Sequence, residues 1–324
     1  MKDSNIQMRT KKRYIVWVAV LSLFAIGCSR TAKQGGGATS DSLAIVNTVK
    51  EDILVGTLDL VVDESILPLL KEQEEVFLSS YPNAKLNIIA RPEVLAVKEL
   101  LADKAMVAIL ARELNEIEND YFKQRSITPR IFPVAVDGII LVKHTKSADT
   151  SVTVEYIFDM MKGRVKGGDK LVFNNLNSSS FRYLKELGKI EKVSSANLQE
   201  KNSAKEVLDE IVLDETKIGV LGYSEYLDLK SKVSDLNNIR ILSVQNSVGE
   251  KADHQYYRPN QSTLAAEQYP LRRMFYVLNY QPNMGLGIGF SAFLTGDRGQ
   301  RIVLKSGIVP ATMPGREIII RDNI

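Results

Sequence analysis

Three consecutive serines, Ser178, Ser179 and Ser180, are the residues in this sequence whose type and spacing best suit a binding site. They end a loop, and the pattern after them predicts a helix over Phe181–Leu187 that stops at Gly188. Serine hydroxyls at a helix start accept hydrogen bonds from backbone N–H groups that have no partner within the helix. The remaining N–H groups point outward from the positive end of the helix dipole, where an anion can bind. The run is therefore either a plain helix cap or part of an anion site.

The N-terminal segment 1–27 has the pattern of a targeting signal. A basic stretch is followed by the short apolar run 14–27 and then by Cys28, the single cysteine of the chain. The run is shorter than a comfortable membrane span, and Phe24–Cys28 resembles the lipobox of bacterial lipoproteins. A single cysteine excludes an intramolecular disulfide. We therefore expect Cys28 to be the lipidated first residue of the mature protein; an uncleaved membrane anchor is the alternative.

The predicted mature chain is nearly neutral, which limits the classes of partner that it could bind. The full sequence has 42 Lys and Arg residues and 39 Asp and Glu residues. The predicted signal segment contains five of the basic residues and one of the acidic residues, so the mature chain would have 37 basic and 38 acidic residues. A balance of about −1 gives no electrostatic support to nucleic-acid binding. Residues 28–50 are rich in Gly and Ser and are expected to form a flexible tether.

The body alternates strand and helix patterns, which predicts a mainly parallel sheet covered by helices, with ligands at the carboxyl ends of the strands. The apolar run 131–143 is interrupted at Asp137-Gly138, where we expect a buried carboxylate bonded to backbone at a crossover between lobes. Arg272 and Arg273 alternate faces on a predicted strand, so at most one of them points to the cleft. The principal predicted strands are Gly56–Asp63, Ala84–Ala90, Met106–Leu110, Leu171–Phe173, Ile218–Gly222, Ile239–Val244 and Leu271–Tyr280. The principal predicted helices are Ile66–Ser80, Val94–Ala102, Val154–Met161, Phe181–Leu187, Ser203–Val212, Gly289–Thr295 and Gly299–Ser306.

The order of elements and several local motifs resemble the periplasmic phosphate-binding proteins of ABC importers, the PstS family. The resemblance spans about residues 54–314. The motifs that carry it are Pro133–Ile139, Thr153–Gly163, Tyr269–Tyr276, Phe293–Gln300 and Ser306–Pro310. It implies a type II periplasmic binding protein fold of class α/β, with two lobes joined by two crossing strands. Lobe one would comprise 51–140 and 272–324, and lobe two 141–271.

The same resemblance implies where a ligand would bind. The serine run falls where the family has a Ser-Gly-Thr helix start, and Asn174 stands where the family usually has an arginine. The loops of lobe one depart further, since Glu64 precedes Ser65, Pro92 follows Arg91, and Glu113 follows Arg112. The implied ligand-binding residues are Ser65, Arg91, Arg112, Asn174, Ser178, Ser179, Ser180 and Arg182.

The resemblance favours a lipid-anchored solute-binding protein for phosphate or a related oxyanion, without a cofactor or metal. It would face the periplasm and feed an ABC importer, on a membrane that the sequence leaves open. The alternative is a binding-protein fold that serves as an accessory or docking lipoprotein of an envelope complex, with weak or no anion binding. An enzyme is the least favoured class, because neither His144 nor His254 lies in a motif for a nucleophile or a metal.

Overall fold

The computed structural model describes residues 52–232 and 236–315. The predicted signal segment 1–27 and the whole of the predicted tether 28–50, with Cys28, lie outside these residues, as does the end of predicted lobe one beyond Gly315. No helix in the described ranges combines the length and the apolar content that a bilayer crossing requires.

Thirteen strands and ten α-helices make up the described part of the chain. The strands are β1 Gly56–Asp63, β2 Ala84–Arg91, β3 Val107–Leu110, β4 Arg130–His144, β5 Ser151–Val152, β6 Leu171–Phe173, β7 Leu198–Glu200, β8 Ile218–Gly222, β9 Ile239–Ile241, β10 Ser243–Gln245, β11 Tyr256–Tyr257, β12 Arg272–Asn279 and β13 Val309–Pro310. The helices are α1 Leu67–Ser80, α2 Glu93–Leu101, α3 Glu116–Lys123, α4 Val154–Met161, α5 Ser179–Leu187, α6 Ala204–Leu213, α7 Tyr223–Lys232, α8 Gln261–Ala265, α9 Leu286–Thr295 and α10 Asp297–Lys305. A 3₁₀ turn, Glu64–Ile66, joins β1 to α1.

The main sheet runs in the order β2-β1-β3-β12-β4-β8-β6-β7, with β13 and β9 also paired to β4. Strands β1, β2 and β3 are mutually parallel, and so are β6, β7 and β8. Strand β4 is antiparallel to β12 over its first part and to β8 over its last part. We call β1, β2, β3 and β12 with their helices the first half, and β6, β7 and β8 with theirs the second half. The α/β periplasmic binding protein fold predicted from the sequence is confirmed, although the long β4 makes the sheet mixed rather than parallel. The assignment of 51–140 with 272–324 and of 141–271 to two lobes stays a prediction.

The apolar pattern of each strand explains its place. In β1, Leu58, Leu60, Val61 and Val62 are buried between α-helical layers, as a central parallel strand requires. Strand β4 is buried along its last eleven residues, which include the charged residues Asp137 and Lys143. Asp137-Gly138 interrupts the apolar run, but the strand continues through both residues. A Cβ on Gly138 would lie 3.2 Å from the Leu264 side chain, so glycine gives the strand room there.

Two other differences have identifiable causes. The single strand predicted over Ile239–Val244 is two strands, because β9 pairs with β4 whereas β10 pairs with β5 in a separate small sheet. Helix α3 was not predicted, since Phe122 is its only buried residue and its apolar periodicity is weak. Its start has a capping box, in which Asn115 and Glu118 each bond the other's backbone N–H.

Candidate functional site

The carboxyl end of β1 and the start of α5 face each other across the boundary between the two halves. From the first half come Asp63, the last residue of β1, and Ser65 in the following 3₁₀ turn. From the second half come Ser179 and Ser180, the first two residues of α5. All four are buried. The chain thus brings hydroxyl groups from two distant segments to one place, as the strand order predicts for a ligand cleft.

Arg273 lies at the centre of this place, with only 3% of its surface exposed. Its Nη1 donates to Ser179 Oγ at 2.6 Å and to Ser180 Oγ at 3.4 Å. Its Nη2 donates to Ser65 Oγ at 3.3 Å. One guanidinium therefore bonds hydroxyls of both halves. We call Arg273 with its neighbours Asp63, Ser65, Asp137, Ser179 and Ser180 the Arg273 cluster.

Asp137 balances the charge of Arg273. Its Oδ2 accepts from Arg273 Nε at 3.2 Å and Nη2 at 3.0 Å, and its Oδ1 accepts from the Ser224 backbone N–H at 2.9 Å. The carboxylate is fully buried. The prediction of a buried carboxylate bonded to backbone at the crossover is confirmed, and so is the prediction that at most one of the two neighbouring arginines points to the cleft. Arg272 instead pairs with Glu267 at 2.8 Å.

Arg273 is packed too closely for any side chain at position 222. A Cβ on Gly222 would lie 2.5 Å from Arg273 Nη2 and 2.9 Å from Glu225 Oε2. Glycine at the end of β8 therefore gives the guanidinium its place beside the sheet.

Several carboxyl groups around the cluster have raised pKa values, mainly because they are buried. Burial raises the pKa of Glu225 to about 7, against the opposing effect of Arg273. Burial and then the charge of Glu93 raise the pKa of Asp63, which Arg273 and the Ser179 hydroxyl partly oppose. Burial and the charge of Asp63 raise the pKa of Glu64 to about 7. The carboxyl groups outnumber the one guanidinium, so protons are part of the charge balance of this site.

A second set of charges adjoins the first, and we call it the Glu93 cluster: Glu93, Arg112, Glu118, Arg182 and Glu186. Glu93, the first residue of α2, is fully buried. Arg182 of α5 donates to it from Nε and, at 3.2 Å, from Nη2. Arg112 Nε lies 3.4 Å from Glu93 Oε1. One carboxylate of the first half is thus held by an arginine from each half.

The outer partners complete this cluster. Arg112 donates from Nη1 and Nη2 to the two oxygens of Glu118, at 2.6 and 2.8 Å. That contact lowers the pKa of Glu118 against the opposing effect of burial. Arg182 also donates to Glu186, four residues further along α5. Both arginines therefore have carboxylate partners on more than one side.

The two halves are in direct contact beside both clusters. Ser65 Oγ and Ser179 Oγ are 3.3 Å apart, which leaves no space for a solute between them. The Val94 backbone N–H donates to the Asn177 carbonyl at 3.2 Å. Asn174 donates to Glu64 Oε1 at 3.4 Å. A solute between these hydroxyls therefore requires the halves to separate.

The structure distributes the residues named from the sequence over different surroundings. Ser65, Ser179 and Ser180 belong to the Arg273 cluster, whereas Arg112 and Arg182 belong to the Glu93 cluster. Ser178 is the helix cap of α5, since its Oγ accepts from the Phe181 N–H at 3.4 Å. Asn174 contacts Glu64.

Arg91 is not brought to either cluster. Its side chain is about half exposed and donates to its neighbour's carbonyl, Ala90, at 2.9 Å.

Sequence reasoning missed Arg273 and Glu93 as central groups. A signal for Arg273 was present, because a carboxylate that interrupts a buried strand needs a cation, and β12 crosses beside Asp137. No comparable signal marked Glu93, which the sequence places in an ordinary helix start. Among the described residues no group of three or more His, Cys, Asp or Glu could hold a metal ion.

Comparison with known proteins agrees with this fold. The family model described as the PBP superfamily domain matches residues 47–298. This match covers more than half of the chain. The chain belongs to the PBP superfamily. No curated protein sequence matches it.

Solved structures share the PBP-superfamily fold at low sequence identity. A Clostridium perfringens protein solved with bound phosphate has a TM-score of 0.64 at 16% identity, covering 79% of this chain and all of its own. An ABC-type phosphate transport receptor from Vibrio cholerae has a TM-score of 0.61 at 17% identity, covering 79% of this chain and 100% of its own. PstS from Borrelia burgdorferi has a TM-score of 0.50 at 18% identity, covering 78% of this chain and 98% of its own. The resemblance to PstS-type proteins is thus confirmed at the level of the fold.

Proposed function

We propose that this PBP-superfamily chain is a solute-binding protein of the cell envelope that takes up phosphate or a related small oxyanion. It would be lipid-anchored through Cys28, face the periplasm, and deliver its solute to an ABC importer. Binding, not catalysis, is the proposed activity. The observation that carries the proposal is the convergence of Arg273 with three serine hydroxyls drawn from both halves of the sheet.

This set of groups suits an oxyanion for a chemical reason. Each serine oxygen accepts from Arg273. Ser65 and Ser179 share one hydrogen bond, so the O–H proton of one of them and that of Ser180 are left to donate to another acceptor. A hydroxyl polarised by a guanidinium donates more strongly to an anion than a lone hydroxyl does. Ser179 and Ser180 also lie at the N-terminus of α5, where the helix dipole favours negative charge.

Asp63 supports a protonated oxyanion over an unprotonated one. Its Oδ1 accepts from the Ser65 N–H at 3.1 Å, whereas its buried Oδ2 has no hydrogen-bond partner among the residues that the structure describes. A buried carboxylate oxygen without a partner is unfavourable, and the O–H group of a hydrogen phosphate would supply one. Sulfate has no proton to donate at neutral pH. The site should therefore prefer phosphate to sulfate.

Calorimetric titration of the protein with phosphate tests the proposal. We expect saturable binding with a Kd below about 1 mM. Ser179→Asp should abolish it, because a carboxylate would then stand beside the anion. Ser203→Asp is the matched control, since it adds the same charge at the start of α6, outside both clusters. A flat titration of folded protein with phosphate and arsenate would contradict the proposal.

A second candidate function is an accessory or docking lipoprotein of an envelope complex with weak or no anion binding. The observation that favours it is the number of carboxyl groups already present: Asp63, Glu93 and Glu225 are buried around the cleft. Moreover, Arg112 and Arg182 have carboxylate partners already. A flat titration would favour this candidate, and crosslinking of the lipidated protein in intact cells would then identify the envelope protein that it contacts.

A further inference from the structure

We propose that Glu93 is a resident anion: its carboxylate occupies arginine donors that a bound solute would otherwise use, and so competes with the solute for the cleft. This inference rests on the proposed function for its biological meaning. The geometry that carries it is independent of any ligand, because it concerns only how the Glu93 cluster is assembled.

The carboxylate is held as a ligand would be. Glu93 comes from the first half of the sheet and is fully buried. Arg182, on the far side of the boundary, binds it with two nitrogens in the fork geometry that arginine also offers to phosphate. Arg112 approaches the same Oε1 atom from the first half, at 3.4 Å. An anion held between two arginines of facing surfaces is the arrangement expected of a closed binding cleft.

The hydrogen bonds of Arg112 and Arg182 show which donor nitrogens would become available if Glu93 were replaced. Arg112 Nε is buried and, within the described part of the chain, donates no hydrogen bond in spite of its closeness to Glu93. Arg182 uses its Nε and Nη2 on Glu93, and only Nη1 on Glu186. If the Glu93 carboxylate is removed, three guanidinium nitrogens face a small space without an acceptor. That is the donor set of an anion site.

The same carboxylate acts on the Arg273 cluster. Burial and then the negative charge of Glu93 raise the pKa of the Asp63 carboxyl group, so the field of Glu93 reaches the Arg273 cluster. Arg182 lies only two residues beyond Ser180 on α5. A solute held by the serines would thus meet both the repulsion of Glu93 and arginines that Glu93 has already engaged. Its affinity would be set by the cost of displacing this side chain.

Replacing Glu93 tests the inference by chemical rescue. We expect Glu93→Ala to lower the unfolding midpoint, because Arg182 and Arg112 lose their shared partner. Phosphate or acetate should restore that midpoint, whereas chloride at equal ionic strength should not. Calorimetry should show that the variant binds phosphate at least about tenfold more tightly than the unmodified protein.

Glu99→Ala is the matched control. Glu99 is a carboxylate on the same helix, α2, and is paired with Lys104 at 2.6 Å, away from both clusters. Its replacement should change neither the phosphate affinity nor the response of the unfolding midpoint to acetate. Should Glu93→Ala fail to fold, Glu93→Gln keeps the size of the side chain and removes only its charge, and the same gain in phosphate affinity is expected.

The outcomes separate the two proposals. If the unmodified protein binds phosphate and neither Glu93 variant binds it more tightly, the inference is overturned while the proposed function stands. If the unmodified protein gives a flat titration and Glu93→Ala binds phosphate, the resident anion is supported and the proposed function fails. If neither anion stabilises either folded variant beyond the effect of chloride, the inference is overturned.

Discussion

The Arg273 cluster and the Glu93 cluster adjoin each other and use the same residue types in opposite ways. In the first, one cation is surrounded by hydroxyls and carboxyl groups. In the second, one carboxylate is surrounded by two guanidiniums. A cation among hydroxyls leaves O–H protons free to donate, whereas a carboxylate among arginines uses the donors that it meets. Groups that suit a bound anion and a carboxylate that would compete with that anion therefore lie next to each other in this protein.

The two clusters also differ in how deeply their charged side chains are buried. Arg273 and Asp137 are almost wholly removed from solvent, with side chains 1% and 0% exposed. Arg182 and Arg112 keep 15% and 19% of their side chains exposed. A fully buried ion pair is costly to break, because the partner left behind has no water to solvate it. We therefore expect the Arg273 cluster to contribute more to the free energy of unfolding, and the Glu93 cluster to rearrange more readily.

The largest expected effect is that of Arg273→Gln. Loss of the guanidinium leaves Asp137 buried without a cation, and we expect the free energy of unfolding to fall by about 3–5 kcal/mol. Arg182→Gln should cost less, about 2 kcal/mol, since Arg112 still faces Glu93. Denaturant unfolding of both variants measures the difference. Equal losses of unfolding free energy in the two variants would contradict the expected difference between the clusters.

Arg272→Gln is the control for that prediction. Its side chain is 30% exposed and pairs with the partly exposed Glu267. A pair of this kind contributes about 1 kcal/mol or less. A loss as large as that of Arg273→Gln would mean that the strand β12, rather than the buried charge, determines the effect.

The second expected effect concerns pH and Glu225 in the surroundings of Arg273. Its folded pKa of about 7 lies above the ordinary value of 4.5, so the folded state binds this proton more tightly. The associated stability is fully present below about pH 4.5 and is lost as the pH rises through about 7, a change of about 3 kcal/mol. Glu225→Gln should remove that loss. Denaturant unfolding at pH 5 and pH 8 tests it, and an unchanged pH dependence in the variant would contradict it.

The smallest expected effect has the opposite sign and belongs to the Glu93 cluster. Arg112 holds the pKa of Glu118 below its ordinary value, so the stability from this contact is present at neutral pH and is lost as the pH falls through the lowered pKa. Glu118→Gln should cost less than about 1 kcal/mol at pH 7, because the pair is partly exposed. The deficit should vanish in acid. A deficit that persists there would contradict the electrostatic origin of the effect, because glutamine keeps an oxygen that can accept from the Asn115 N–H at the start of α3.

The fold could be predicted in most of its parts from local patterns. Strands such as Leu171–Phe173 and Ile218–Gly222 agree with the sequence prediction residue for residue, because short apolar runs bounded by turn residues specify them locally. Helix α5 begins two residues before the predicted helix, since Ser178 and not Ser180 is its cap. Helix α3 and the division of Ile239–Val244 depended on partners far away in the chain.

The candidate site was predictable only in its hydroxyls. A serine run at a helix start is visible locally, so Ser178, Ser179 and Ser180 could be named. Which arginine would reach them could not be known. Arg91, Arg112 and Arg182 all follow or lie near the predicted ligand loops, yet the cation among the serines is Arg273, which is 94 residues away from Ser179.

The sequence by itself determined the alternation of strands and helices, a helix cap within the serine run 178–180, and the need of Asp137 for a partner. These follow from interactions within a few residues, or from the cost of burying a single charge. Only the tertiary structure decided that Arg273 pairs with Asp137, and that Glu93 lies between Arg112 of its own half and Arg182 of the other half. Which charged residues pair depends on which strand ends lie close together in the folded protein. The position of a residue in the sequence does not give its distance from a residue on another strand.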